Sequence, residues 1–290
     1  MGHVHSHSSD GIDWDTRLRQ LRETDALTAP ETAALAEKLL LPADRTVVDI
    51  GSGAGGSAAA LAAALPAGGV VTLVDSAPEL LTAAVEHVHE TAPGAEVRTA
   101  EVDAATDEVR TAAEPADLVF ASFAVHHLPD QAAGIRRLSA LVRPGGRLAI
   151  VEFGLPTRVL PWDVGLGAPG LEGRLAAAGD EWFRRMRADM PGATRLPTGW
   201  PAALTASGLE RVHSWSYLID RPAPLSGPAL DVVVRRLEGM RETARTEGWN
   251  EDAEVVDQLL DVDGQHYVGH RDDVYYLTAN TVHVGTRPRG

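Results

Sequence analysis

Residues 47–56 read Val-Val-Asp-Ile-Gly-Ser-Gly-Ala-Gly-Gly, a β-branched run that ends in an acid and a glycine-rich turn. Gly51, Gly53 and Gly56 carry the G-x-G-x-x-G spacing, with Ser52 and Gly55 inside the same turn. Glycines permit a tight bend and let a ligand approach the backbone closely. Such turns serve many ligands, so the neighbouring acids decide. Asp49 directly precedes the turn, where its charge repels a diphosphate and attracts a cation. Asp75 closes the next apolar run, 24 positions after Gly51. A carboxylate there can accept both hydrogen bonds of a ribose diol; Asp75 or Ser76 can equally cap the helix that starts at Pro78. Asp103 closes a third run, placed to accept from the exocyclic amine of adenine with Ala104 against the ring, although alone it reads as a solvated loop acid. Together the acids describe a site for a positively charged nucleoside without phosphates.

A second group follows the fourth apolar run. His126 and His127 stand together, and a histidine titrates near neutral pH, so either can take a proton, with His127 the preferred base. Glu152, ending the fifth run, can reach an amine or hydroxyl of a second substrate, or be buried against Arg147 or another arginine. Asp163 beside Trp162 is a further candidate. Trp14, Trp162, Trp182, Phe183 and Trp200 concentrate in segments outside the regular core, although aromatic residues make up only 5% of the chain. Rigid rings suit a flat or apolar small molecule.

These groups need a scaffold that brings strand ends together. Val47 to Ile50, Val70 to Val74, Val97 to Val102, Leu118 to Ala121 and Arg147 to Phe153 read as strands. Ser57 to Leu65, Pro78 to Glu90 and Gln131 to Val142 read as the helices between them, and Arg143-Pro144-Gly145-Gly146 as the last turn. Alternation of this kind specifies right-handed crossovers and a mainly parallel sheet whose ligands sit at the carboxyl ends of the strands. Further on, Trp200 to Ser207 reads as a helix, Arg211 to Ile219 and Val274 to Val284 as strands forming an antiparallel edge, and Leu225 to Leu260 as one or two helices. Before the first strand, Thr28 and Glu31 flank Pro30 in a capping-box arrangement that predicts a helix start there.

Over roughly residues 44–153 the chain resembles the class I S-adenosylmethionine-dependent methyltransferases. The resemblance rests on Val47–Gly56, Leu73–Pro78, Val102-Asp103-Ala104, the segment from Asp117 through His126-His127-Leu128-Pro129-Asp130, and Leu141–Leu148, in that order. More loosely, the C-terminal third is similar to a group of actinobacterial small-molecule methyltransferases with His-rich N-terminal tails. The resemblance implies an α/β, Rossmann-like, doubly wound sheet of seven strands, mainly parallel, with an antiparallel C-terminal edge and helical lid insertions. It implies S-adenosylmethionine as cofactor, S-adenosylhomocysteine as product and a small-molecule acceptor. The donor-site residues it implies are Asp49, Gly51, Ser52, Gly53, Gly55, Asp75, Ser76, Asp103, Ala104 and Ser122, with Gly51, Gly53 and Ser122 on the methionine moiety. His127, His126 and Glu152 fall on the acceptor side. The implied division is a flexible His-containing tail (1–10), an N-terminal helical lid segment (11–43), the donor-binding core (44–153) and a C-terminal completion of the sheet with substrate-lid insertions (154–290).

Composition narrows the partners. In 290 residues, 26 Lys and Arg face 41 Asp and Glu, a net charge of −15 that disfavours nucleic acid and anionic lipid. Without cysteine there is no disulfide, thiolate metal site or thiol nucleophile. Residues 1–10 lack the apolar core of a secretion signal, and a cytoplasmic location is expected. His3, His5 and His7 read as part of a tail, and no metal site is expected. The rival readings are methylation of a carboxylate or amine on a short peptide, a binder of the nucleoside without turnover, and a nicotinamide oxidoreductase.

Overall fold

The computed structural model describes residues 12–289; the expected tail at 1–10 lies outside the described residues. The elements are α1 (Trp14–Leu39), β1 (Thr46–Ile50), α2 (Gly56–Ala64), β2 (Val70–Asp75), α3 (Pro78–Thr91), β3 (Glu96–Glu101), β4 (Ala116–Ser122), α4 (Gln131–Ala140), β5 (Val142–Arg158), α5 (Leu171–Asp189), α6 (Trp200–Ala206), β6 (Glu210–Arg221), α7 (Pro228–Thr246), α8 (Asn250–Leu260) and β7 (Tyr276–Thr286). They build one seven-stranded sheet in the order β3-β2-β1-β4-β5-β7-β6, parallel through β5 with an antiparallel edge. Among the described residues no helix is long and apolar enough to cross a membrane.

The chain forms two compact units, one of residues 12–154, 192–217 and 280–289, the other of 155–191 and 218–279. In the first, β1 is the central strand. Val47, Val48 and Ile50 are buried between β2 and β4, as the β-branched run requires. Ile50 pairs with Val74 on one side and Ala121 on the other, and Asp75 with Glu101. The carboxyl ends of β1, β2, β3 and β4 therefore lie along one edge. Strand order reverses between β1 and β4, which opens a crevice there. The second unit has its own core, in which Leu171, Leu175 and Ala178 of α5, Val233 and Leu237 of α7, and Val256 and Leu259 of α8 are buried.

Several boundaries differ from the sequence reading. The helix expected to begin at Thr28 begins at Trp14, where Asp13 accepts from the Thr16 backbone at 3.2 Å. Thr28 lies inside it, its hydroxyl donating to the Thr24 carbonyl at 3.1 Å. The capping pattern was a local signal, whereas burial of Leu27, Leu35, Ala36 and Leu39 along one face carries the helix through Pro30. Arg143–Gly146 is not a turn before β5. It forms an irregular stretch inside β5, held by Gly145 donating to the Arg287 carbonyl at 2.9 Å. The helix read at Trp200 to Ser207 is α6, and Trp200 packs on the core to which β4, α4 and α6 contribute rather than standing outside it.

The glycine turn is pinned from below. Gly51 and Ser52 donate to the Val74 carbonyl at 2.7 and 3.2 Å, and Gly51, Gly53 and Gly55 all take positive φ. A Cβ on Gly55 would lie 2.6 Å from the Ala84 Cα of α3, whereas one on Gly53 would meet nothing within 4 Å. We therefore expect Gly55→Ala to cost about 2–4 kcal/mol, strain plus a backbone clash, and Gly53→Ala about 1 kcal/mol. Urea unfolding would check this; equal losses would show that the α3 contact imposes nothing.

Candidate functional site

Asp49 stands at the carboxyl end of β1 with 2% of its surface exposed, and its Oδ2 has no hydrogen-bond partner among the described residues. Burial, then the charges of Asp75 and Asp25, push its carboxyl up to about 7. A buried acid with an unsatisfied oxygen is costly unless a cation arrives to meet it. Asp75 is better satisfied: one oxygen accepts from the Gly53 backbone at 3.0 Å and the other from Ala77 at 3.2 Å. Burial still raises its pKa, against the pull of these N–H groups. Asp75 thus ties the glycine turn to the segment before α3, but it does not cap that helix, whose N-cap is Ala77 without a side-chain cap bond.

The remaining expected donor residues spread along the same edge. The Oγ of Ser52 is buried and without a partner among the described residues, Ser76 is exposed, and Ser122 is half-buried at the end of β4. Asp103, two strands away, is exposed in a turn where it accepts from the Ala105 backbone at 2.8 Å, with Ala104 half-buried beside it. Asp49, Asp75 and the turn are one cluster; Asp103 is peripheral to it.

Glu152 and His126 form a pair that the sequence did not show. His126 Nδ1 lies 2.7 Å from Glu152 Oε2, and the His126 backbone donates to Oε1 at 3.1 Å. Both residues are buried. Pairing of Glu152 with Arg147 is ruled out by strand parity. Positions 147 and 152 differ by an odd number and point to opposite faces, and Arg147 pairs with Asp44 instead. His127 is half-buried, its ring centroid 3.8 Å from that of His126. Phe123 and Phe153 complete an aromatic cluster, 5.0 Å from each other, with Phe153 4.9 Å from His126. Phe123 holds φ +52, a strained value for a side chain with a Cβ. A Cβ on Gly51 would lie 2.9 Å from the Ala124 Cβ, so this segment abuts the glycine turn directly.

Sequence reasoning also missed Asp25. It lies on the inner face of α1, and a Cβ on Gly56 would fall 2.4–2.7 Å from its carboxyl atoms. The available signal was an acid on the same helical stripe as Thr28, Thr32, Leu35 and Leu39.

Comparison with known proteins places this arrangement. Residues 48–148 match the family model for a methyltransferase domain. The chain is 34% identical over 174 residues to the trans-aconitate 2-methyltransferase of Methylobacterium radiotolerans, a match covering 56% of this chain and 62% of the relative. It thus spans less than two thirds of that relative's length. With the trans-aconitate 2-methyltransferase of Variovorax paradoxus it shares 31% identity over 73% of this chain and 74% of the relative. Among solved structures, an O-methyltransferase family protein from Burkholderia thailandensis superposes with a TM-score of 0.52 at 18% identity, covering 95% of this chain and 61% of that one, which bears on the fold. The chain belongs to the class I S-adenosylmethionine-dependent methyltransferases. The family's cofactor is S-adenosylmethionine, and the residues fit that ligand: a glycine cradle and a buried carboxylate whose Oδ2 has no partner among the described residues and which a cationic group would complement.

The raised pKa of Asp49 has a sign in stability. In the folded chain this group keeps its proton to about pH 7, whereas unfolded it loses it near 3.8. Its contribution is complete below the unfolded value and is lost as pH rises through 7. The wild type should lose about 2–4 kcal/mol of unfolding free energy between pH 5 and 8.5 from this group, and Asp49→Asn should remove most of that slope. Matched urea titrations at the two pH values test it, and identical slopes in both proteins would refute the assignment.

Proposed function

We propose that this chain transfers the methyl group of S-adenosylmethionine to a protic nucleophile, a hydroxyl first among them, on a small molecule. The observation that carries the reading is the buried Glu152–His126 pair set against the donor turn through Ala124. On the donor side, Asp49 would meet the ammonium, Gly51, Ser52, Gly53, Gly55 and Ser122 the methionine end, Asp75 with Ser76 the ribose, and Asp103 with Ala104 the adenine.

Bound S-adenosylmethionine supplies an electrophilic methyl on a sulfonium whose sulfur leaves as a neutral thioether, so the protein need provide no acid. What it must provide is alignment and a destination for the acceptor's proton. Glu152 fixes the Nδ1–H tautomer of His126 and leaves Nε2 to take that proton. The carboxylate then stabilises the imidazolium. We assign the base to His126 because the buried carboxylate of Glu152 orients its ring. His127 and Phe153 would form the wall against which the acceptor lies.

A second reading, transfer to a carboxylate oxygen, is favoured by the trans-aconitate relatives. A carboxylate acceptor has no proton to lose, so the two readings separate cleanly. With labelled donor and a panel of hydroxylated and carboxylated small molecules, His126→Ala and Glu152→Gln should slow methylation of a protic acceptor about 100-fold or more while leaving donor affinity unchanged. Methylation of trans-aconitate at wild-type rate by both variants would favour the carboxylate reading. Donor binding without any labelled product would sink both.

A further inference from the structure

We infer that Asp25, delivered by α1, is the second anionic wall of the donor site and holds the donor's ammonium together with Asp49. The inference rests on the donor reading above and adds to it a residue outside every donor motif in the chain.

Two observations place the carboxylate. Helix α2 begins at the glycine turn with Gly55 as its cap and has no side-chain cap of its own. Asp25 accepts a hydrogen bond from the Gly56 backbone, and the closeness of its carboxyl atoms explains why position 56 carries no Cβ. Its position does not depend on that bond alone, because α1 is anchored by Leu27, Leu35, Ala36 and Leu39 and by Arg22 to Glu86 of α3 at 3.3 Å.

Charge supplies the second argument. Asp25 is near enough for its charge to raise the carboxyl of Asp49, whose Oδ2 is buried and unpartnered. The groups facing Asp25 are His87 of α3, whose Nδ1 lies 3.2 Å from the Ala54 carbonyl, and the Gly56 N–H. Among the described residues, the side chain whose charge acts on Asp25 is that of His87, and none is a Lys or Arg. Among the described residues no three His, Asp or Glu side chains are placed to share a metal ion. The buried Asp49 carboxylate and the half-buried one of Asp25 repel when both are ionised. A primary ammonium, with one positive charge and three N–H donors, relieves that repulsion and satisfies the free oxygen of Asp49 along with the remaining lone pairs of Asp25. The outcome is a donor site that reads the amino-acid end of its ligand by charge, through a helix outside the glycine turn.

Asp25→Asn keeps an oxygen to cap α2 but removes the charge, which separates ligand recognition from structure. On the full chain, calorimetric titration with S-adenosylmethionine should show at least a tenfold loss of affinity in Asp25→Asn. Titration with 5′-methylthioadenosine, which has the nucleoside and thioether but no amino-acid end, should agree with the wild type within twofold. Asp25→Ala should lose the same donor affinity and also melt at lower temperature, through loss of the cap. Unchanged S-adenosylmethionine affinity in Asp25→Asn, or equal losses for both ligands, would overturn the inference. A wild type that binds 5′-methylthioadenosine but not S-adenosylmethionine would instead overturn the donor reading beneath it.

Discussion

The carboxylate of Asp49 is the constraint around which the core is arranged. It sits at the end of the central strand, enclosed by β2 and β4, with an oxygen that nothing in the described chain satisfies. Asp25 and Asp75 add negative charge where burial already disfavours it. Nothing in ordinary folding selects such an arrangement, since an amide or a small apolar residue would be more stable. It makes sense under the proposed reading as a group whose ionised form an arriving cation completes. The positive φ of Gly51, Gly53 and Gly55 gives the turn after Asp49 a path that side chains with a Cβ rarely adopt.

The Glu152–His126 pair is built on the opposite principle. Glu152 and His126 satisfy each other, through one side-chain and one backbone contact, before any ligand arrives. Asp49 is left with an unsatisfied oxygen, while Glu152 and His126 complete each other. Phe123 is held in a strained backbone conformation between them, at the junction of β4 and the histidine segment. Strain of about 1–3 kcal/mol at such a position persists only where the surroundings enforce it. Around Phe123 stand its backbone bond to the Val151 carbonyl at 2.9 Å and the rings of Phe153 and His126.

Much of this was legible in the sequence because it is local. The strand ends, the acids that close them and the glycine spacing are set by short-range periodicity, and β1, β2 and β4 lie where the apolar runs placed them. What was not legible depends on residues far apart in the chain. Glu152 and His126 meet because β4 and β5 are parallel neighbours with Ser122 beside Val151, a register no local pattern encodes. Asp25 reaches the turn only because α1 runs unbroken through Pro30, where a capping signal at Thr28 pointed to a start. The irregular opening of β5 was concealed by Pro144 and Gly145, which are turn residues in most contexts and here mark a bulge pinned by Arg287.

The central claim is that the buried acid at the turn is matched to the donor's positive charge, and proton linkage tests it most directly. Calorimetric titration with S-adenosylmethionine at pH 6.5, in two buffers of different ionisation enthalpy, measures protons released on binding. The account predicts release of roughly half to one proton, with donor affinity rising about tenfold from pH 6 to pH 8 as the carboxylate becomes available. A binding heat that does not depend on the buffer, with an affinity flat across that range, would contradict it.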